Sequence, residues 1–372
     1  MYKPWYLRIN WNITAPTLLL IAFGILMIYT ATFRQSGFLV AGKQLIAFFV
    51  GLFSAAFVFI LGYKKICTEH FTIKKFPIPI RLSYLFYGLS VFLLLFVRLK
   101  GHSAYGSQRW IGLGPFSFEP SEVAKLALIL GLCTFFAEQE DPPGFLTFLK
   151  AGTLTIFPIF LVLIQPDMGT SILLASLFFF ISFFAGVNPL YLASTLAVGI
   201  GGMFKVMKPY QWKRLLGFLH PFKHPTGSGW NLIQSLIAVG SGKLAGKGLF
   251  QGSQTALQFV PQHATDFIFT VIAEQLGWIG AFFMLVLYFF ILWQGTKIVL
   301  ETKDRLGKLL ACGIVSMFLV HIFINIGMTI GIMPITGIPL PFISSAGTSL
   351  IVNLICIAIL LDIDYERSSL IR

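Results

Sequence analysis

The amino-acid sequence predicts an all-α polytopic membrane protein, with about ten transmembrane helices and a long extracytoplasmic loop between helices 7 and 8. Of its 372 residues, 56% are hydrophobic, only 11% are charged, and 40 are phenylalanine. A soluble domain carries about 25% charged residues, so this composition excludes a soluble fold. We therefore treat residues 1–372 as a single transmembrane domain that contains a large external loop at 208–265.

The predicted spans follow apolar runs of about 20 residues, the length that a helix needs to cross a hydrocarbon core of ~30 Å. They lie at 14–33, 44–62, 82–99, 121–138, 148–164, 168–186, 189–207, 267–294, 307–330 and 343–362. The first run follows Lys3 and Arg8 without a small-residue cleavage site, so we expect an anchor rather than a signal peptide. Pro166 lies between the fifth and sixth runs, where it indicates a helix break or a tight external turn.

The basic residues predict the orientation of the chain. With the N-terminus inside, the inner segments carry fourteen Lys and Arg, the short outer loops carry six, and the long loop carries the other seven of 27. This asymmetry predicts that both termini are cytoplasmic and that the long loop is outside. The net charge of +13 then reflects orientation, so we expect no nucleic-acid partner. The four cysteines lack CxxC spacing and are expected to be packing residues.

The external loop is basic and contains no acid, since neither Asp nor Glu occurs from Met168 to Thr265. Two interpretations stay open: the loop rests on anionic lipid headgroups, or it binds an anionic substrate such as a phosphate or diphosphate. Within it, Gly240-Ser241-Gly242-Lys243 is not a phosphate-binding Walker motif. The first glycine of that motif is missing, and Leu244 replaces its Ser or Thr.

Two acids follow the loop, and each has two interpretations. Asp266 lies where the eighth predicted span begins, so it either caps the free N–H groups of the helix or acts near an anion held by the surrounding cations. Glu274 lies eight residues later, ~12 Å along the helix. There it is a candidate functional residue of an apolar span, or one partner of a structural ion pair.

Other polar residues are expected at the same outer face. Glu122 and Lys125 are three residues apart and share a helix face, so they either pair with each other or contact the substrate. Arg109 either holds a phosphate or extends to the headgroup level. The remaining candidates stand at the outer starts of the sixth and tenth spans, where helix N-termini favour anions: Asp167, Ser344 and Ser345. The segment 334–341, with three prolines and no charge, is predicted to be an irregular outer connection.

Several ordered motifs resemble the SEDS family (shape, elongation, division and sporulation), over almost the whole chain. They are Gln108-Arg109-Trp110, Pro120-Ser121-Glu122 with Lys125, Gln165-Pro166-Asp167-Met168-Gly169-Thr170-Ser171, Gly229-Trp230-Asn231-Leu232-Ile233-Gln234-Ser235, Gly240-Ser241-Gly242, Gly246-Lys247-Gly248-Leu249, and Thr265-Asp266-Phe267-Ile268-Phe269 followed by Glu274. The chain length and the segment 246–254 resemble the elongation member more than the division member. The sequence departs from the family pattern at Glu119, where the family usually has Gln.

The resemblance implies a peptidoglycan glycosyltransferase of the bacterial cytoplasmic membrane, which polymerises lipid II at the outer face during cell elongation. It implies that Asp266 is the essential loop aspartate. It also implies a single-span class B penicillin-binding protein, a transpeptidase, as partner within the elongation cell-wall complex.

The residues suggest a mechanism that agrees with the resemblance. A diphosphate leaves readily once its charge is neutralised, so a single carboxylate base is enough, whereas glycosidases need two carboxyl groups. We expect Asp266 to take the proton of the acceptor hydroxyl in an inverting transfer. Arg109, Lys243 and Lys247 would hold the diphosphate, with or without a divalent metal such as Mg²⁺ or Mn²⁺. The alternatives are a flippase or transporter for the same lipid-linked precursor, the division-specific member, and a non-catalytic scaffold.

Overall fold

The protein is almost entirely helical in the computed structural model, which describes residues 9–370 except 74–75, 105–106, 114–115, 207–208, 224, 226, 228 and 258. The long helices, each of which coincides with one predicted span, are α1 (Trp11–Ser36), α2 (Leu39–Leu61), α4 (Leu82–Lys100), α5 (Pro120–Ala137), α6 (Phe145–Ile164), α7 (Met168–Phe184), α8 (Pro189–Val206), α12 (Ile268–Glu301), α13 (Arg305–Thr329) and α14 (Gly347–Leu370). Eight of these are long and apolar enough to cross a membrane, and α7 and the Pro189–Gly199 part of α8 are apolar but shorter. The predicted class, an all-α polytopic membrane protein, is confirmed.

Short elements connect the long helices. Helix α3 (Tyr63–Thr68) follows α2, and a hairpin of β1 (His70–Ile73) and β2 (Phe76–Arg81) leads into α4. Between α4 and α5 lie three antiparallel strands, β3 (His102–Ala104), β4 (Ser107–Leu113) and β5 (Phe116–Phe118), with β4 in the centre.

The helices form an inner and an outer set. Helices α5, α13 and α14 are mostly buried by other helices, whereas α2, α4 and α6 expose most of their apolar surface. Exposed residues such as Phe53 and Ile60, at 77% and 83%, show the side that is available to lipid. Because lipid is itself apolar, exposed apolar surface of this kind costs little in a membrane.

Hydrogen bonds between residues at the helix ends show which of these ends lie together. The side chain of Asn10 donates to Asp364 at 2.8 Å, which brings the beginning of α1 beside the last turns of α14. The Tyr63 hydroxyl lies 3.1 Å from carboxylate oxygens of both Asp304 and Glu366, so the α2–α3 and α12–α13 connections lie at this end as well. A chain that crosses the membrane an even number of times has both termini on the same side, so the prediction of ten spans agrees with this grouping. The count of ten and the side that faces the cytoplasm stay predictions.

The predicted loop 208–265 is largely structured. It contains α9 (Pro209–Leu219), a 3-10 turn (Pro221–Lys223), α10 (Trp230–Ser241) and α11 (Ser253–Ala256). The segment after α10 packs so closely on α12 that a Cβ atom at Gly242 would lie 1.8 Å from the carbonyl oxygen of Ala273. Only glycine fits at this contact.

The same segment kinks α12 at Gly277, which has a φ of 66° inside the helix. Here the helical hydrogen bonds are replaced, since the N–H groups of Trp278 and Ile279 donate to the carbonyl oxygens of Lys243 at 2.9 Å and Leu244 at 3.1 Å. Non-glycine residues rarely adopt such a φ. The first part of α12 and the loop before it are therefore tied together, and this unit carries Asp266.

Candidate active site

A cavity of about 480 Å³ opens where α5, α12 and α14 begin. Its walls come from segments that are far apart in the chain: Lys43, Gln44, Arg109, Trp110, Ser117, Glu119, Arg214, Asn231, Pro261, Gln262, Thr265, Asp266, Phe267, Ile335, Thr336, Gly337, Pro339, Ser345, Ala346, Gly347, Thr348 and Ser349. Of the predicted site residues, Asp266, Arg109 and Ser345 line it. The cavity is large enough for a diphosphate and part of a sugar.

The backbone around Asp266 is fixed from two sides. The Asn325 side chain of α13 donates to the carbonyl oxygen of Asp266 at 2.9 Å. The Ser344 hydroxyl donates to the carbonyl oxygen of Thr265 at 2.7 Å. The N–H of Ser345 donates to the carbonyl oxygen of Ala264 at 2.9 Å. Ser344 therefore positions the loop from a buried place, while Ser345 reaches the cavity itself.

Asp266 is not the N-cap of α12. The helix begins at Ile268, and Phe267 occupies the cap position without a side-chain hydrogen bond to the helix. The carboxylate instead lines the cavity, close to Gly337, where an added Cβ atom would lie 3.1 Å from Asp266 Oδ2. Of the two interpretations for this acid, the structure disfavours capping.

The environment of Asp266 makes it a stronger base than an ordinary aspartate. The pKa of Asp266 is raised from 3.8 to about 6, mainly by burial and also by the nearby Asp167, against the opposing effects of Arg109, Arg214 and a hydrogen bond from Thr265. Desolvation thus outweighs the cations. The group is still mostly ionised at neutral pH, as a general base must be.

Three cations line the cavity, and they differ in how far they are already engaged. Arg109 is tied down, because its Nε donates to the carbonyl oxygen of Gln165 at 3.2 Å and its Nη1 lies 3.4 Å from Asp167 Oδ2. By contrast, Lys43 and Arg214 form no salt bridge with any residue that the structure describes. Both side chains are exposed, so they can meet an anion.

Asp167 lies behind Arg109 rather than in the cavity wall. Its carboxylate caps α7, accepting from the N–H of Thr170 at 3.0 Å and from its hydroxyl at 2.8 Å. Its side chain is only 3% exposed and its other contact is the ion pair with Arg109. Asp167 therefore holds Arg109 in place and does not reach a substrate directly.

Glu122 and Lys125 form a buried pair at the start of α5, with 2.7 Å between Oε2 and Nζ. Lys125 Nζ also lies 2.9 Å from His321 Nε2 of α13. Neither Glu122 nor Lys125 lines the cavity. Of the two interpretations, the structure therefore shows the one in which these residues pair with each other. No sequence pattern indicated the third member, His321.

Three more of the predicted site residues lie outside the cavity wall: Glu274, Lys247 and Lys243. Glu274 is fully buried and forms an ion pair of 2.9 Å with Lys247. Its carboxylate also accepts from the N–H groups of Gln254 at 2.9 Å and Thr255 at 3.1 Å. The structure thus shows the ion-pair interpretation for Glu274, with a partner from the loop instead of a neighbouring helix. Lys243 is exposed.

Glu119 is a cavity residue that sequence reasoning did not select. It precedes α5, and its N–H donates to the hydroxyl of Thr348 at 3.2 Å. One carboxyl oxygen accepts from the Ser121 hydroxyl at 3.0 Å. Burial, together with the carboxylates of Glu122 and Asp167, raises the pKa of Glu119 to about 8, against the opposing effect of Lys125 and Arg109.

The cavity residues do not form a metal site of their own. Among the residues that the structure describes, no three His, Cys, Asp or Glu side chains lie close enough together to hold a metal ion. Two acids, Asp266 and Glu119, line the cavity beside three cations, an arrangement that suits an anion better than a divalent cation.

Comparison with known proteins identifies the family. A family model described as "cell cycle protein", covering FtsW, RodA and SpoVE, matches residues 10–369. The chain belongs to this family, the SEDS family. It is 36% identical to the stage V sporulation protein E of Bacillus subtilis, over 94% of this chain and 96% of that protein. It is 37% identical to the peptidoglycan glycosyltransferase MrdB of Escherichia coli, over 76% and 78%.

A solved structure has the same fold. The TM-score is 0.79 at 27% identity, over 96% of this chain and 98% of the other, with a chain from a study of polymerization and crosslinking by a peptidoglycan synthase complex. For this SEDS protein, the structure brings Asp266, Arg109 and Ser345 together in one cavity. The other predicted site residues do not line this cavity. Three residues that were not predicted do line it: Lys43, Arg214 and Glu119.

Proposed function

We propose that this protein is a peptidoglycan glycosyltransferase, which joins the disaccharide units of lipid II into glycan strands at the outer face of the cytoplasmic membrane. One observation carries the proposal: a partly desolvated aspartate, Asp266, lines a cavity together with three cations. Its SEDS relatives include proteins that are named peptidoglycan glycosyltransferases.

In the proposed reaction Asp266 acts as general base. It accepts the proton of the acceptor sugar hydroxyl as the oxygen attacks the anomeric carbon of the donor. The new C–O bond forms while the bond to the diphosphate breaks, and the electron pair leaves with the diphosphate, so the configuration inverts. The raised pKa of Asp266, about 6, supports this role because proton transfer is more favourable to a stronger base.

The leaving diphosphate needs cations rather than a second acid, since its charge and not its proton affinity limits departure. Lys43 and Arg214 suit this task because they line the cavity and form no salt bridge within the described residues. Arg109 lines the cavity as well, but its guanidinium is held by the turn at 165–167. Lys43 and Arg214 therefore replace Lys243 and Lys247 in the mechanism.

We further propose the cellular setting. The long loop faces outward and both termini face the cytoplasm, as the distribution of basic residues predicts. The partner is a class B penicillin-binding protein that cross-links the strands, consistent with the structural similarity to a chain of a peptidoglycan synthase complex. Among the family roles, the segment 246–254 favours cell elongation over division.

A reconstituted assay tests the activity. The purified chain, with and without a class B transpeptidase, is given fluorescent lipid II in liposomes and examined for polymer and for lipid crossing. We expect polymer that depends on Asp266. Lipid crossing without polymer would show a flippase instead, and neither activity in a folded protein would show a scaffold.

Rescue of a strain depleted of its division polymerase, but not of one depleted of its elongation polymerase, would contradict the elongation role.

A further inference from the structure

The charged groups around Glu119 are unbalanced. Three carboxyl groups, Glu119, Glu122 and Asp167, surround the start of α5 together with two cations, Arg109 and Lys125. Glu122 is paired with Lys125 at 2.7 Å, and Asp167 is paired with Arg109 at 3.4 Å. Both pairs are buried, with side-chain exposure between 2% and 13%. The two cations are thus committed to the other two acids, and Glu119 is the acid left over.

The remaining neighbours do not neutralise Glu119. The carboxyl group of Glu119 accepts a hydrogen bond from the hydroxyl of Ser121, which is uncharged. Lys43 and Arg214 line the same cavity, but neither of them forms a salt bridge with Glu119 among the described residues. Glu119 is only partly buried, but an ionised side chain there would face the carboxylates of Glu122 and Asp167 without a cation of its own, and protonation is the usual way in which a group avoids that repulsion.

A protonated Glu119 has a use in this cavity. Its Oε1 accepts from Ser121, which leaves Oε2 as the oxygen that would carry the proton and donate it, and the side chain lines the space that Lys43 and Arg214 also reach. A neutral acid can donate a hydrogen bond to an anion, whereas a carboxylate would repel it. Glu119 can therefore bind an anion in this cavity only in its protonated, neutral form.

We propose that Glu119 is a substrate-binding residue, which stays a neutral carboxylic acid near pH 7 and donates a hydrogen bond to a phosphate oxygen of the lipid-linked diphosphate. The inference rests on the proposed function for the identity of the anion. The shifted titration, with the pKa of Glu119 raised to about 8, agrees with the charge count. Above that pH the group becomes a second carboxylate in the cavity and weakens the binding of the anion.

A binding measurement tests the role. Farnesyl diphosphate serves as the probe, and its affinity for the purified full chain in nanodiscs is measured at pH 7 and at pH 9.5. The comparison uses Glu119→Gln, which keeps a donor but cannot ionise, and Glu69→Gln, a matched change at an exposed acid. Ionisation of the probe and of other residues affects all three proteins, so the differences between them isolate Glu119.

The expected result is a loss of affinity between the two pH values that is about tenfold larger in the unchanged protein and in Glu69→Gln than in Glu119→Gln. Equal losses in all three proteins would overturn the proposal. Polymer formation from lipid II should show the same contrast, as a rise in KM at pH 9.5 that Glu119→Gln does not share. Polymer formation that fails while farnesyl diphosphate binds as expected counts against the proposed function and not against Glu119.

Infrared spectroscopy supplies a readout that needs neither activity nor ligand. The unchanged protein should show the carbonyl band of a protonated carboxylic acid at pH 7, which disappears as the pH passes about 8 and is missing in Glu119→Gln but present in Glu69→Gln. If Glu119→Gln does not fold, the unchanged protein alone decides. A spectrum in which no such band is lost between pH 7 and pH 9.5 overturns the proposal.

Discussion

Asn325 donates through one side-chain nitrogen to the carbonyl oxygen of Asp266, at 2.9 Å, and to that of Ile338, at 2.7 Å. Asn325 is fully buried in α13, so this one residue fastens both the loop that carries Asp266 and the segment 335–339 to the helix bundle. Two walls of the cavity thus depend on a side chain that does not itself line it.

Replacing Asn325 with leucine should impair the reaction without removing any group that touches the substrate. The change leaves the buried carbonyl oxygen of Ile338 without its donor, at a cost of about 1–3 kcal/mol, and removes the bond to the partly buried carbonyl oxygen of Asp266. We expect a lower melting temperature and a fall of at least about tenfold in kcat, with a smaller change in KM, because the base is displaced. Asn12→Leu, at an exposed position, is the control. A kcat equal to that of the control would show that Asn325 does not position Asp266.

The rate of polymerisation should fall in acid because the base must be ionised. With the pKa of Asp266 at about 6, the ionised fraction is one half at that pH and drops about tenfold per unit below it. The acid limb of kcat/KM, measured from pH 5 to 8, should therefore have its midpoint near 6. Because Arg214 lowers this pKa, Arg214→Gln should move the limb to higher pH. A rate that stays constant down to pH 5 would be incompatible with Asp266 as the base.

The cations of the cavity should matter more than those of the exposed loop. Lys43→Gln removes a charge that lines the cavity, whereas Lys243→Gln removes one that is exposed and outside it. A charge-assisted hydrogen bond contributes about 1.5–3 kcal/mol, so Lys43→Gln should raise KM for lipid II roughly tenfold or more. Lys243→Gln should leave it nearly unchanged. The reverse order would restore the loop lysine to the site and remove Lys43 from it.

Glu274 should act on the loop and not on the chemistry. Its carboxylate holds Lys247 and the N–H groups of Gln254 and Thr255 in one buried network. Glu274→Gln keeps the shape but weakens these bonds, so the segment 247–257 should be cleaved faster in limited proteolysis and the melting temperature should fall. Glu140→Gln, at an exposed acid, is the control and should change neither. Unchanged cleavage in Glu274→Gln would show that the network does not hold the loop.

Those features of the fold that local chemistry determines could be predicted from the sequence. The apolar runs located the long helices, and Asp167 and Pro120 mark helix starts because one caps and the other occupies a first turn. The kink at Gly277 could not be predicted, because it depends on the loop segment at Lys243 and Leu244 docking against α12. A glycine inside an apolar run carries no sign of the partner that will reach it.

Among the residues that line the cavity, sequence patterns mark some, and only packing brings in the others. Asp266 stood out as the first acid after a long basic stretch. Lys43 looked like any residue of a short outer connection, and Arg214 was one of seven basic residues in the loop. Neither carries a pattern that distinguishes it. They line the candidate site only because α2 and α9 meet the same cavity.

We propose above that Asp266 is the base of a lipid II polymerase. The most direct measurement compares glycan polymer made from lipid II by the purified protein and by Asp266→Asn, both in liposomes with matched amounts of folded protein by thermal unfolding. Loss of the base should reduce the rate by at least about 100-fold, while binding of lipid II changes little. Asp266→Asn protein that is folded and still makes polymer at the full rate would contradict the account.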